Sequence, residues 1–119
     1  PQYEHLADLV RENVETLLIA HDCSIIDDPQ QADYLVELCA STTQRGDGKN
    51  GFGMVSYYAD IVGKMKNRRT GKSVANISLM RDSRLYAAGV DENQAIIKAF
   101  KSKQLMDILQ EAIVSGLDK

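Results

Sequence analysis

Apolar residues recur every three or four positions over the first twenty residues, which predicts an amphipathic helix over residues 3–20. Glu4 and Asp8 lie in its early turns, where the helix dipole favours negative charge. His21 and Asp22 are expected to end this helix. The apolar stripe consists of Tyr3, Leu6, Val10, Val14, Leu17 and Leu18.

Strands are predicted in the middle of the chain, where β-branched runs and alternating patterns replace the helical period. A short β-branched run predicts a first strand at 23–27, and Pro29 predicts a turn directly after it. Longer strands are expected at 33–40, 54–66 and 73–84, the last two joined by a hairpin turn at 67–72. The more polar set of the strand at 54–66 is expected to face water: Tyr58, Asp60, Val62, Lys64 and Lys66.

A second amphipathic helix is predicted near the end of the chain, capped by Asp91 and stopped near Gly116. Its central stripe is Ala95, Ala99, Met106, Leu109 and Ile113. Two helical stripes and one apolar sheet face are buried most economically by packing together. We therefore predict a single α+β domain over residues 1–119. It is a two-layer sandwich whose antiparallel sheet of three to four strands carries the N- and C-terminal helices on one face, in the order α-β-β-β-β-α.

The composition is that of one ordinary globular domain. With 119 residues, 44% of them hydrophobic and 26% charged, the chain needs neither disulfides nor metal to fold. A formal net charge of −3 weighs against a dedicated nucleic-acid binder, and no apolar run approaches the ~18 residues that a membrane span needs. No signal peptide is recognisable after Pro1, so we expect a domain that could be excised from a longer protein.

Two cysteines, Cys23 and Cys39, are too few for a disulfide scaffold and have no neighbours at zinc-site spacing. They are interpreted either as two small buried or half-buried residues or as a single disulfide between neighbouring strands.

Catalytic chemistry has little support in the sequence. Asp27 and Asp28 are adjacent and would point to opposite faces of a strand, whereas carboxylate catalysis needs two convergent groups. Neither His5 nor His21 has a nearby nucleophile in sequence. We therefore predict no catalytic residue, no metal site, no cofactor and no enzymatic activity.

The glycine-rich segment at 42–53 is expected to be a mobile loop. Gly46 and Gly51 have the spacing of a phosphate-binding loop, but Phe52 and Gly53 stand where that motif has Lys and Ser/Thr. The segment is therefore interpreted as a flexible hairpin connection or as a loop that contacts a partner through Lys49 and Phe52.

Five cations surround the predicted hairpin tip: Lys64, Lys66, Arg68, Arg69 and Lys72. They indicate either an anion-facing patch for a partner or a solvated tip whose lysines discourage sheet-edge association. Tyr58 is a further candidate for a partner surface, since tyrosine is enriched at interfaces. A double-stranded RNA-binding module has a similar element order, but the acidic start of the last helix, Asp91 and Glu92, would repel phosphates.

Three segments carry a resemblance to a known group of proteins. These are Ala32-Asp33-Tyr34-Leu35-Val36 at the start of a strand, Ser56-Tyr57-Tyr58-Ala59 at the start of the next, and the turn Arg69-Thr70-Gly71-Lys72. The chain thereby resembles bacterial cell-envelope accessory domains. That group comprises the outer-membrane lipoprotein family with flagellar members, the middle domain of the flagellar assembly protein T, lipoprotein activators of penicillin-binding proteins, and the N-terminal domain of the TolB protein.

The resemblance implies a periplasmic or outer-membrane-associated, non-enzymatic module that binds another envelope protein, and a periplasmic home would permit a Cys23–Cys39 disulfide. Contact is expected through the open face of the sheet, the loop at 46–53 or the tip at 68–72. The alternative is a small-ligand or anion-binding domain with its site between the helices and the sheet, and an RNA-binding-like module is a weaker one. Homo-oligomers are expected to be weak or absent.

Overall fold

The computed structural model describes residues 4–118, so Tyr3 of the predicted helical stripe lies outside the described part. A single turn of 3₁₀ helix at Pro29–Gln31 precedes the first strand. The remaining elements are α1 (Glu4–Ala20), β1 (Tyr34–Arg45), β2 (Val55–Asn67), β3 (Ser73–Leu79), β4 (Tyr86–Gly89), α2 (Glu92–Phe100) and α3 (Lys103–Leu117).

The four strands form one antiparallel sheet with β2 at its centre. β1 pairs with β2 over its whole length, from Tyr34 opposite Asn67 to Arg45 opposite Ser56. β3 and β4 share the other side of β2, one after the other along the strand. The helices cover one face of this sheet, so the predicted α+β sandwich and its element order are confirmed.

The core lies between the helices and the sheet. On β2 it includes the fully buried Ala59, Ile61 and Met65, which alternate with residues of the other face. The predicted stripe of the C-terminal region is buried at Ala95, Ala99, Leu109 and Ile113, while Met106 is half-buried. The large side chains that close the core are Phe100, Leu6, Leu85 and Leu105. Among residues 4–118, no helix combines the length and the apolar character needed to cross a membrane.

The strand predicted at 23–27 is wrong, because these residues form no strand and Ser24, Ile25 and Ile26 are exposed. Two β-branched residues, Ile25 and Ile26, are too short a run to specify a strand without a partner. The chain instead enters the 3₁₀ turn, where the Asp28 carboxylate accepts the Gln30 N–H at 2.9 Å. β1 is longer than the strand predicted at 33–40, because residues 41–45 also pair with β2. The glycine-rich loop predicted at 42–53 therefore begins only after Arg45.

The predicted return strand and the predicted final helix are each interrupted. The strand ends at Leu79, and the chain makes an excursion over residues 80–85 before β4 begins. The helix is split at Lys101 and Ser102, and the Ser102 hydroxyl caps α3 by accepting the Leu105 N–H at 3.2 Å. Serine at an N-cap satisfies a backbone donor that the helix itself leaves unpaired. A polar side chain binds a backbone N–H group at each interruption, Ser102 at the break in the helix and Asp60 at the break in the strand.

Asp60 was expected to face water with its strand neighbours, and this is wrong: the residue is 1% exposed. Its carboxylate accepts the Arg81 N–H at 2.9 Å and the Thr43 hydroxyl at 2.5 Å. Arg81 adopts a left-handed conformation with φ of 52°, which a non-glycine residue keeps only when its surroundings hold it. The excursion at 80–85 is thus anchored on the face of the sheet opposite the helices.

Asp82 and Arg84 make this excursion sensitive to pH. The Asp82 carboxylate accepts the Arg84 backbone N–H at 2.9 Å and two guanidinium donors at 2.9 and 2.7 Å. The side-chain hydrogen bonds from Arg84, with a smaller effect of its backbone N–H, lower the pKa of Asp82 to about 2. Because the pKa of an unfolded aspartate is about 3.9, the ionised pair stabilises the fold above about pH 4. That contribution is lost as the pH falls from about 4 towards 2.

We expect Arg84→Met to lower the free energy of unfolding at neutral pH by a modest amount, because the Arg84 side chain is 59% exposed and water screens the pair. Urea unfolding of both proteins between pH 6 and pH 2 measures the effect. The difference between them should shrink across the window from about pH 4 to about pH 2. A difference that stays constant over this range contradicts the assigned role of the pair.

Candidate functional site

β1 offers an edge that pairs with no other strand among residues 4–118. The Arg68 N–H donates to the Asp33 carbonyl at 2.9 Å, in register with the β1–β2 ladder, so the backbone of Asp33 faces β2. Backbone groups of successive residues alternate in direction along an antiparallel strand. The residues whose N–H and C=O groups point to the free edge are therefore Tyr34, Val36, Leu38, Ala40, Thr42 and Gln44.

A groove runs along the first half of this edge strand, between β1 and α1. Its volume is about 920 Å³, and residues 22–27 form one of its walls. Val14 and Leu18 of α1 line it from one side, and Met65 and Leu117 also contribute to the lining. Tyr34, Val36 and Leu38 line it from β1, and the same residues carry free backbone groups at the edge. An extended chain placed here would meet both hydrogen-bonding groups and apolar surface.

The charges around the groove are mostly negative. The described residues that line it include one cation, Arg11, and five carboxylates: Asp8, Glu15, Asp22, Asp27 and Asp33. Arg11 donates to Glu15 at 3.0 Å, and this hydrogen bond, with the charges of Glu15, Asp27 and Asp8, raises the pKa of the guanidinium. Asp33 lies 3.4 Å from Arg69. The groove therefore presents an apolar lining within an acidic rim.

The predicted basic cluster lies at one end of the sheet, and its members have different surroundings. Arg68 donates to the carbonyl of Gln30 at 2.5 Å and to its side-chain oxygen at 2.8 Å, so it ties the hairpin to the 3₁₀ turn. Lys64 lies 3.8 Å from Glu37 on the exposed face of the sheet. Among the described residues, the side chains of Lys66 and Lys72 form no hydrogen bond or ion pair. The partner role predicted for this cluster stays a prediction.

The glycine-rich loop lies at the other end of the sheet. The thirteen residues of β2 separate it from the hairpin tip at 68–72, which is roughly 40 Å of extended chain. Asn50 closes a turn there by accepting the N–H groups of Phe52 and Met54 at 2.8 and 3.1 Å. Phe52 is 90% exposed on this turn, and Lys49 is exposed beside it. The two predicted contact regions therefore cannot form one site.

Tyr58 lies on the face of the sheet that the helices leave open. Its ring meets the ring of Tyr86 edge-on, with centroids 5.9 Å apart, and the Arg45 guanidinium lies 4.2 Å from the centre of the Tyr86 ring. Edge-on aromatic pairs and cation–π contacts are both attractive. The three side chains link β1, β2 and β4 on this face, so Tyr58 has a structural role here and its partner role stays a prediction.

Both cysteines are free thiols, so the disulfide alternative is not realised in this structure. Cys23 is half-buried and lines the groove, whereas Cys39 is exposed on β1 opposite Val62. Within residues 4–118, no three His, Cys, Asp or Glu side chains are grouped so that they could hold a metal ion.

The sequence pattern identifies the apolar residues of the groove, but it does not indicate the groove itself or a free edge on β1. The expected strand at 23–27 would have paired with β1 and covered the edge. No signal in the sequence distinguishes the two cases, because Ile25 and Ile26 favour a strand and yet are exposed outside the sheet in the structure. No protein-family model, curated protein or solved structure matches this chain, so its interpretation rests on the geometry described above.

Proposed function

We propose that this chain is a non-enzymatic protein-binding domain that takes up an extended segment of its partner as an additional strand beside β1. The observation that carries the proposal is the one-sided pairing of β1, which spans twelve residues. Long uncovered edges are a hazard for aggregation unless a fold protects or uses them. Strand addition to an exposed sheet edge is a recurring mode of peptide recognition.

The groove supports the same function. In strand addition, backbone hydrogen bonds provide affinity and pockets for alternate side chains provide specificity. Tyr34, Val36 and Leu38 combine free backbone groups with a place in the groove lining. An added strand would therefore direct every second side chain into the groove.

A place in the bacterial envelope is part of the proposal. It is supported by the sequence resemblance, which rests on the segments at 32–36, 56–59 and 69–72. The resemblance implies an envelope protein as the partner, and the edge of β1 gives such a partner a surface on which to bind.

Ala40→Pro tests strand addition directly. Proline removes the N–H that Ala40 presents to the free edge, and proline is tolerated on edge strands because it leaves the inner ladder intact. We expect the variant to bind an envelope partner, first captured from an extract and then purified, at least roughly tenfold more weakly than the wild type. The equilibrium dissociation constant of the purified pair is the measurement.

Ala40→Gly is the matched control. It also lowers strand propensity and removes the side chain, but it keeps the N–H group. We expect Ala40→Gly to retain most of the affinity, and thermal unfolding of both variants shows whether each is folded at the assay temperature. Equal affinity of the folded Ala40→Pro variant and the wild type would refute strand addition at this edge.

A small ligand in the groove is the second candidate function. The volume of about 920 Å³ lies within the range of small-molecule pockets, which is about 300–1,000 Å³. The carboxylates of the rim would repel an anion. The small ligand of this second function is therefore a neutral or cationic molecule with apolar surface. Such a ligand would raise the melting temperature of the wild type and of Ala40→Pro equally, because it does not need the edge N–H.

A further inference from the structure

We infer that the segment bound along β1 is basic as well as apolar, with Lys or Arg side chains interspersed among aliphatic ones. This inference rests on the proposed function, and it names the chemistry of the partner at the same groove. Its basis is the combination of an apolar lining with five carboxylates and a single guanidinium among the described residues that line the groove.

The cation that lines the groove does not neutralise all the carboxylates of the rim. Arg11 is hydrogen-bonded to Glu15 and also lies in the field of Asp8 and Asp27, so one cation serves three carboxylates. Asp22 and Asp27 are exposed in the wall formed by residues 22–27. A bound cation would lower the mutual repulsion of these groups, whereas a bound carboxylate would add to it.

Long basic side chains suit this geometry better than other cations. Lys and Arg bury their aliphatic stems on apolar surface and keep the charged end in water. Stems could therefore lie along Val14, Leu18 and Val36 while the charged ends reach Asp8 or Asp27. On the other face of the added strand, Glu37 of β1 is 68% exposed but already lies 3.8 Å from Lys64, so the acidic surface is that of the groove.

Two synthetic peptides test the inference. Each has about nine residues, enough to pair with β1 from Tyr34 to Thr42, the stretch that contains the groove. The side chains that would enter the groove, at every second position, are Val and Lys in turn in one peptide and Val and Glu in turn in the other, with Thr at the positions between them. We expect the Val–Lys peptide to bind roughly tenfold more tightly than the Val–Glu peptide at low salt, with the difference reduced at high salt. Fluorescence anisotropy of labelled peptides gives both affinities.

Charge-removing variants show whether the groove is responsible. Asp8→Asn combined with Asp27→Asn removes two rim charges and should weaken binding of the Val–Lys peptide roughly fivefold. The matched control is Glu12→Gln combined with Asp47→Asn, which makes the same change in net charge at exposed positions outside the groove lining. We expect the control to bind the peptide with nearly wild-type affinity.

The outcomes separate this inference from the function on which it rests. If the Val–Glu peptide binds as tightly as the Val–Lys peptide, or if the Val–Lys peptide does not bind, the inference of a basic segment is overturned. An equal loss of affinity in the two double variants would also overturn it, because the effect would then be that of net charge alone. Failure of strand addition is recognised separately, by Ala40→Pro binding the envelope partner as the wild type does.

Discussion

Replacing Asp60 with alanine should lower the free energy of unfolding by about 3 kcal/mol, although the sequence places Asp60 among polar residues of the open face. The residue is 1% exposed, and its two oxygens accept from the Arg81 N–H and the Thr43 hydroxyl. Truncation removes both acceptors and leaves two donors to find new partners. Arg81 would also lose the contact that holds its left-handed backbone. Urea unfolding at pH 7 measures the loss.

Two variants identify the cause of the loss. Asp60→Asn keeps an oxygen for the Arg81 N–H and an amide that donates to the Thr43 oxygen, so we expect it to lose at most about 1 kcal/mol. Lys64→Ala changes an exposed residue of the same face and should stay within about 0.5 kcal/mol of the wild type. A loss in Asp60→Ala no larger than in Lys64→Ala would show that the buried carboxylate does not anchor residues 80–85.

The sandwich itself could be predicted because its signals are local. The helical stripes and the hairpin between β2 and β3 each follow from residues close together in the chain, and their apolar faces then require one another. The burial of Asp60 could not be predicted in this way. It depends on the excursion at 80–85, because the N–H of Arg81 in that segment binds the Asp60 carboxylate. Strand alternation assigns a face, but it does not show which later segment covers that face.

The candidate site could not be predicted for a related reason. The expected strand at 23–27 would have occupied the edge of β1, so the sequence interpretation places the free edges of the sheet on other strands. In the structure, Gln30 next to Pro29 is held by two contacts. Its N–H donates to the Asp28 carboxylate, and its two oxygens accept from the Arg68 guanidinium. One of these contacts spans 38 residues in sequence. The groove beside β1 therefore depends on a long-range interaction that a local pattern does not contain.

Alanine at Gly63 should destabilise the fold by about 2–3 kcal/mol, and it should also disturb the candidate site. Gly63 lies on β2 opposite Leu38, and a Cβ atom there would come closer than 3.0 Å to the Glu37 carbonyl oxygen and to a methyl group of Leu38. The carbonyl belongs to the backbone of β1, so the clash cannot be relieved by a side-chain rotation alone. β1 would have to move away from β2 beside the groove.

Gly116→Ala is the control for this prediction, since it adds the same methyl group at a buried glycine of α3. Its nearest neighbour would be the sulfur of Met65 at 2.9 Å, the flexible end of a side chain, and alanine gains up to about 1 kcal/mol of helix propensity over glycine. We therefore expect Gly116→Ala to unfold within about 1 kcal/mol of the wild type. Leu38→Ala in the Gly63→Ala background should recover only part of the loss, because the contact with the Glu37 carbonyl persists. Full recovery would place the whole clash in the Leu38 side chain and leave the β1 backbone, and with it the free edge, undisturbed.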